Sequence, residues 1–554
     1  MKLTKSFSYL LLLVIVGSSC TKYLDKGTPD TFSDDDFWTG ENNLRTYTWG
    51  FYNMFIGFGT GTTSDFYFST FTDDQASSSF QNFDVSATAT NSAWDWSDIR
   101  KANILLERVD QVPIDDAAKN HWKGVARFFR AFDYFTKVKT FGDVPWIGHS
   151  LDIADVNIIY KPRDPRALVM DSIMGDLDFA IANLRDKTAE PNAVNKDVAL
   201  ALKSRVGLYE GTYRIYHTEL GLSDADKFLE ASKSASEALM TGSYTLGENY
   251  RDTYSSMDLG ASSATKEIIL YKKYVLGSLT HSVVGYTNST SKMNGLTKSA
   301  VESYLMTDGL PISLSNLYQG DDNIQNVRAN RDKRLLATID TFLCYNGHLV
   351  GGLTSTTGYR PSKFLQPASI QLAPNNETDA PIFWLAEILL NYAEATAELD
   401  RMGKLTMTQA DLDKSINLLR ARGGVAPLEI NGTQGTAIGG IAFTDPNKDA
   451  DVTSLIWEIR RERRVELMMD GFRNTDIMRW KKGEYLDSEK NPDIFLGAKI
   501  TPIPEQPTNN EGYILAYSAS TKRTFIDPKH YLKSIPTGQI SLYPNGVLAQ
   551  NPGW

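Results

Sequence analysis

Along LAEILLNYAEATAEL (385–399), Glu387, Asn391, Glu394 and Glu398 recur at steps of four and three. A helix would carry them on one face, with Leu385, Ile388, Leu389, Tyr392 and Leu399 on another. Glycoside hydrolysis needs two carboxylates flanking a bond, one of them with a raised pKa. This row could supply them, although a polar helix face is the simpler reading. In LIWEIRRERRVELMMDGFRNTDIMRW (455–480), Glu458, Glu462 and Glu466 recur every four residues, as do Arg460 and Arg464. Like charges at that spacing destabilise an isolated helix by roughly 0.2–0.5 kcal/mol per pair. The arginines are therefore expected to meet carboxylates on other elements, Glu387 or Glu394 among them.

Other chemistries find less support. The six histidines, His121, His149, His217, His281, His348 and His530, are scattered, and no zinc-protease or Cys/His pattern occurs. There is no G-x-S-x-G nucleophile elbow. GFGTGT (57–62) lacks the spacing of a phosphate loop. SDDDF (33–37) and GDDN (320–323) offer hard oxygen ligands without the ordered loop of an EF-hand. No metal or cofactor is expected.

Glycan binding asks for something different: flat rings for the CH faces of sugars, and polar groups for their hydroxyls. Two segments have this composition. Residues 57–96 contain Phe66, Tyr67, Asp73, Asp74, Phe80 and Trp94; residues 274–350 contain Tyr274, Tyr286, Tyr318 and Tyr345. All but Tyr274 are taken as ligand-binding candidates. Long irregular loops in compact proteins are often functional.

The amino terminus carries its own chemistry. Lys2 and Lys5 precede the apolar run Tyr9–Val16, and Gly17-Ser18-Ser19 leads into Cys20. This is the layout of a secretory signal peptide, too short to span a bilayer as a helix. The small residues before Cys20 resemble a bacterial lipobox, which implies cleavage before Cys20 and its acylation. Residues 1–19 thus read as a leader and 20–40 as a lipidated tether. The only other cysteine is Cys344, so lipidation of Cys20 leaves no disulfide. The net charge of −10 becomes more negative once Lys2 and Lys5 are removed. With no basic tract to offset it, nucleic acid is excluded as a partner.

The elements that must position these groups are mostly helices. Helical patterns cover about 41–55, 94–110, 121–141, 164–186, 197–216, 224–241, 381–402, 408–422 and 452–470. The stretch 121–141 is apolar around most of its circumference, as in a helix buried on all sides. ALKSRVGLYEGTYR followed by FLEASKSASEALM has the style of a degenerate tetratricopeptide unit, without a clean 34-residue repeat. Between 243 and 380, and after 424, Gly, Asn, Ser, Thr and Pro interrupt the helices. The fold class is therefore mainly α, a helical repeat scaffold with long irregular insertions.

Several stretches together resemble the SusD/RagB family, the surface nutrient-binding lipoproteins of Bacteroidetes: CTKYLDKGTP, IRKANILLERV, RFFRAFDYFTKVKTFGDVP, DGLPI, NRDKRL, AEILLNYAEA, NLLRARGG, RRERRVELMMDGFRNTDIMRW and the terminal QNPGW. They span nearly the whole mature chain. The resemblance implies a single domain over 41–554, with four tetratricopeptide-like units and ligand-binding loops at about 57–96 and 243–380. It implies noncatalytic capture of an oligosaccharide or other nutrient at the cell surface. The implied partner is a SusC-like TonB-dependent transporter in the outer membrane. Trp384 stands where many members have Arg, which removes one family ion pair, and residues 423–452 form a Gly/Thr-rich elaboration. The matching motifs belong to the scaffold, so they assign no ligand residue. A tetratricopeptide lipoprotein that binds only proteins, capture of peptide rather than glycan, and a glycoside hydrolase remain the alternatives. Rings lining a solvent-open face would favour glycan capture; covered aromatics would favour the interaction scaffold.

Overall fold

A computed structural model describes residues 37–59, 72–284, 292–365 and 375–554. Cys20, Phe66, Tyr67 and Tyr286 lie outside the described residues. Helix accounts for 43% of the structure and strand for 12%, confirming the mainly α class. The principal helices are α1 (Glu41–Trp49), α2 (Ser97–Arg108), α3 (Asp116–Phe141), α4 (Arg166–Asn183), α5 (Lys196–Tyr216), α6 (Ala225–Met240), α7 (Leu385–Arg401), α8 (Ile416–Gly423), α9 (Ser454–Glu466) and α10 (Phe472–Arg479). The strands that matter here are β1 (Gln75–Ala76), β2 (Ile268–Lys272), β3 (Gly295–Leu296), β4 (Ala380–Trp384), β5 (Leu496–Lys499) and β6 (Tyr513–Leu515).

The helices pack in sequence: α3 on α4, α5 on α6, α6 and α9 on α7. The Asp115 side chain caps α3 by accepting from the Ala118 N–H, and Gly142 ends it with φ +74°. Between those caps, Trp122, Val125, Phe128, Phe129, Tyr134, Phe135 and Val138 are all buried, as the all-round apolar pattern requires. The tetratricopeptide-like pair α5–α6 depends on Gly207. A Cβ there would meet the Phe228 carbonyl oxygen at 2.6 Å and the Ser232 nitrogen at 2.8 Å, so only glycine lets the backbones approach so closely. One hydrophobic cluster of the described residues runs from Trp38 to Leu548. Among the described residues, no helix is long and apolar enough to cross a membrane.

Two elements differ from expectation. The helix read from 381 begins at Leu385, because Ala380–Trp384 forms β4 and pairs antiparallel with β2. Ile382, Phe383 and Trp384 suit a pleated, half-buried surface better than a helix start. Trp384 lies inside, edge-on to Phe472 at 5.9 Å. The helix read over 408–422 breaks at Lys414–Ser415 into Gln409–Asp413 and α8. The Gly/Thr-rich elaboration forms a three-stranded antiparallel meander over 429–443.

The acidic face of α7 is internal, not solvated. Glu387 takes two hydrogen bonds from Arg205, both 2.6 Å. Glu394 accepts from Arg479 at 2.6 and 2.7 Å and from the Trp480 indole at 2.7 Å. Asn391 donates to Ser204 and accepts from Arg463, while Glu398 accepts from the Tyr216 hydroxyl. Arg460 stands 3.7 Å from Glu398, and Arg464 pairs with Asp73 and Asp74. The expected network exists, but these two arginines use partners other than Glu387 and Glu394. Burial alone would raise the Glu394 carboxyl; Arg479 outweighs it and lowers the pKa to about 2. Glu394 therefore stays ionised and cannot serve as a general acid. None of the three glutamates opens onto the clefts described below.

Candidate functional site

The two aromatic segments meet through a strand pair. β1, from the first, runs antiparallel to β3, from the second, with Gln75 opposite Leu296 and Ala76 opposite Gly295. Around it, Thr297 donates to the Asp73 and Asp74 carbonyls, the Asn294 side chain accepts the Ser78 N–H, and Thr356 Oγ1 donates to the Ala76 carbonyl. The β5–β6 ribbon docks beside this junction, with the Ala498 N–H donating to Thr357 O at 2.8 Å. A Cβ at Gly497 would fall 2.2 Å from that same oxygen, so glycine is required there.

Partly buried rings gather along the ribbon, around the buried Phe495. At one end, Phe80 meets Tyr517 edge-on at 5.0 Å, Phe495 meets Tyr517 at 4.8 Å, and Arg523 lies 4.7 Å over Phe495. At the other end, Tyr513 donates its hydroxyl to Asp321, and Lys298 sits 4.9 Å over its ring. Tyr318 shares the field of Asp321; burial first, then Asp321, pushes its hydroxyl up to about 12. It is thus a neutral O–H at ordinary pH. Tyr345 stacks on His348 at 5.1 Å, and a Cβ added at Gly358 would meet Tyr345 together with Ala498 and Ile514 of the ribbon. Phe80, Tyr318 and Tyr345 are accordingly brought to one region.

Three expected residues have other roles. Asp73 and Asp74 are buried: Arg473 grips Asp73 at 2.8 and 2.7 Å, and Arg464 holds Asp74 at 2.8 Å. Burial pushes both carboxyls up. The two arginines more than offset that for Asp73, which lies below the usual range, whereas the Asp73 charge helps hold Asp74 above it. These aspartates root the loop instead of offering oxygens to a ligand. Trp94 is 7% exposed and packs edge-on to Phe141 at 4.9 Å, so it belongs to the core. Phe495, Tyr513 and Tyr517 lie outside both aromatic segments, on or beside short strands with no periodic signal, so the sequence does not single them out. The GDDN turn is engaged as well: Lys499 contacts Asp322 at 2.7 Å. Among the described residues, no group of His, Cys, Asp or Glu is arranged to hold a metal.

Two clefts open in addition to this face. The larger, about 680 Å³, lies between α3, α5, α10 and residues 530–533. The arginines that line it are committed to the scaffold through Arg205–Glu387, Arg463–Asp476 and Arg479–Glu394. The second, about 350 Å³, lies between α1, the start of α3 and residues 190–194.

The chain is similar to known proteins over most of its length. Residues 236–554 match the family described as the SusD family, and residues 29–208 match one described as starch-binding associating with outer membrane. SusD-like protein P38 of Formosa agariphila is 23% identical over 520 residues, covering 87% of this chain and 93% of that protein. A SusD-like carbohydrate-binding protein of Bacteroides fragilis superposes with a TM-score of 0.67 at 21% identity, covering 92% of this chain and 99% of that one. A laminarin-binding SusD-like protein gives 0.57 at 18% identity, covering 93% and 100%.

Proposed function

The chain belongs to the SusD family, and from that premise we propose that it is a noncatalytic receptor for an oligosaccharide or polysaccharide. It captures its nutrient outside the cell and delivers it to a SusC-like TonB-dependent transporter. In this reading Cys20 carries the lipid that holds it at the outer-membrane surface. The observation that carries the ligand class is the β1–β3 pairing. It joins two segments distant in sequence so that Phe80, Tyr318, Tyr345, Tyr513 and Tyr517 surround one ribbon, half-exposed. Sugar rings present apolar CH faces and a rim of hydroxyls. Aromatic planes beside neutral phenols, Asp321 and Lys499 supply both kinds of contact. The carbohydrate- and laminarin-binding relatives support the same class.

The test is native electrophoresis of the chain from Thr21 onward through gels cast with amylopectin, laminarin or xylan. Retardation by at least one glycan is expected, and Tyr345→Ala with Tyr513→Ala should reduce it about tenfold or more in affinity. Free migration in every gel would overturn the glycan reading.

A further inference from the structure

The 350 Å³ pocket holds a second arrangement of planar polar groups and rings, built from none of the ribbon's residues. Trp49, the last residue of α1, stands at its edge with 62% of its surface exposed. An indole so exposed beside a pocket leaves one ring face open to a ligand. Beneath it lie Tyr52 and Trp122, with the Arg45 guanidinium 5.2 Å over the Trp122 ring.

The polar lining is balanced in charge. Arg45 makes a two-point contact with Glu190 at 2.7 and 2.9 Å. Arg185 bridges Glu190 at 3.1 Å and Glu41 at 2.6 Å. The arginine contacts hold both glutamates below their usual range. Arg45 and Glu190 line the pocket, while Arg185 and Glu41 stand outside its lining, so the one lining cation is matched by one lining anion. His121 accepts the Arg185 N–H through Nδ1, which leaves the proton of its neutral ring on Nε2, 3.7 Å from Glu190. The Tyr52 hydroxyl accepts the Val194 N–H and keeps its own hydrogen to donate. Asn192, exposed and held at φ +48°, brings an amide to the rim while its Oδ1 accepts the Tyr271 N–H. The volume falls in the range of small-molecule sites, about 300–1,000 Å³.

A formally neutral pocket disfavours an ion as ligand. Its mixture of guanidinium, carboxylate, amide and phenol presents donors and acceptors side by side, as vicinal hydroxyls do. We propose that this pocket is a second carbohydrate subsite, binding a terminal ring of a neutral oligosaccharide with Trp49 stacked on the ring's CH face. Arg45, Glu190 and Asn192 read the hydroxyls. The ligand class rests on the glycan reading above, but the site stands apart from the ribbon and is tested separately.

Titration of the chain from Thr21 onward with maltohexaose and with laminarihexaose, followed by tryptophan emission, tests it. At least one should give a saturable blue shift that is missing in Trp49→Phe, because only Trp49 leaves water for a ring. Trp49→Ala should raise the Kd for that component about tenfold or more. The Tyr345→Ala, Tyr513→Ala protein should keep the shift while losing retardation in glycan gels. Retardation in the gels, together with emission that Trp49→Phe leaves unchanged, overturns the subsite and spares the ribbon. No retardation and no shift with any glycan overturns both.

Discussion

His281 illustrates how burial fixes the charge of a single residue. Its Nε2 lies 2.9 Å from the Thr378 carbonyl, its Nδ1 accepts the Val283 N–H at 3.2 Å, and the Phe58 and Tyr274 rings cover it at 5.0 and 4.6 Å. Burial lowers its pKa to about 4, with the Thr378 bond opposing. A depressed folded-state pKa means that the unfolded chain takes up a proton first as pH falls. The contribution of His281 is therefore complete above pH 6.5 and is lost on the way down to about 4. The stability difference between the wild type and His281→Gln, measured by urea denaturation, should shrink by about 3 kcal/mol over that interval. A difference independent of pH would contradict the buried neutral imidazole. Such an environment was not legible in the sequence, since its partners come from residues 58, 274, 283 and 378. Nor was the pairing of Asp73 and Asp74. Their setting among aromatics suggested ligand contact, and only the fold brings Arg464 and Arg473 to them.

At the scale of elements, what was readable is what has a period. α3, α5, α6 and α9 follow from apolar and charged spacing, and the arginines of α9 announced that they needed partners elsewhere. What was not readable has no local code. β1, β3, β5 and β6 are two to four residues long; β1 and β3 exist only because segments distant in sequence lie alongside, and β5 and β6 pair with each other across an irregular loop. The link between the two classes is the Arg464/Arg473–Asp73/Asp74 cluster, through which a scaffold motif fixes the root of an aromatic loop. Removing one partner of a buried ion pair strands the other, at roughly 3–5 kcal/mol. Arg464 remains 3.1 Å from Asp73, so Arg473→Met should cost about 3 kcal/mol, near the lower figure. Adding Asp73→Asn should recover part of the loss. Hydrogen exchange should locate the effect: amides of residues 74–78 and 294–297 lose protection before those of α5 and α6. Uniform loss across the chain would mean that the cluster holds the whole fold together instead of the loop.

At the scale of the whole molecule, the proposed function gives binding and attachment to separate parts. The ribbon and the Trp49 pocket lie among the described residues, whereas Cys20 lies seventeen residues ahead of Phe37, where the described chain begins. Acyl chains contribute about 0.8 kcal/mol per buried CH₂, and two or more anchor stably. If the anchor supplies attachment alone, removing it should change where the protein is and leave what it binds unchanged. Cys20→Ser, expressed in a Bacteroidetes host, should lose metabolic labelling with palmitate and leave the membrane fraction. The Thr21-onward chain should still be retarded in the same glycan gels as detergent-solubilised wild type, with Kd values within about twofold. A Cys20→Ser protein that stays with the membrane after a high-salt wash would assign attachment to a protein contact, with the transporter the first candidate. That contact would then be sought by co-purification from the same cells.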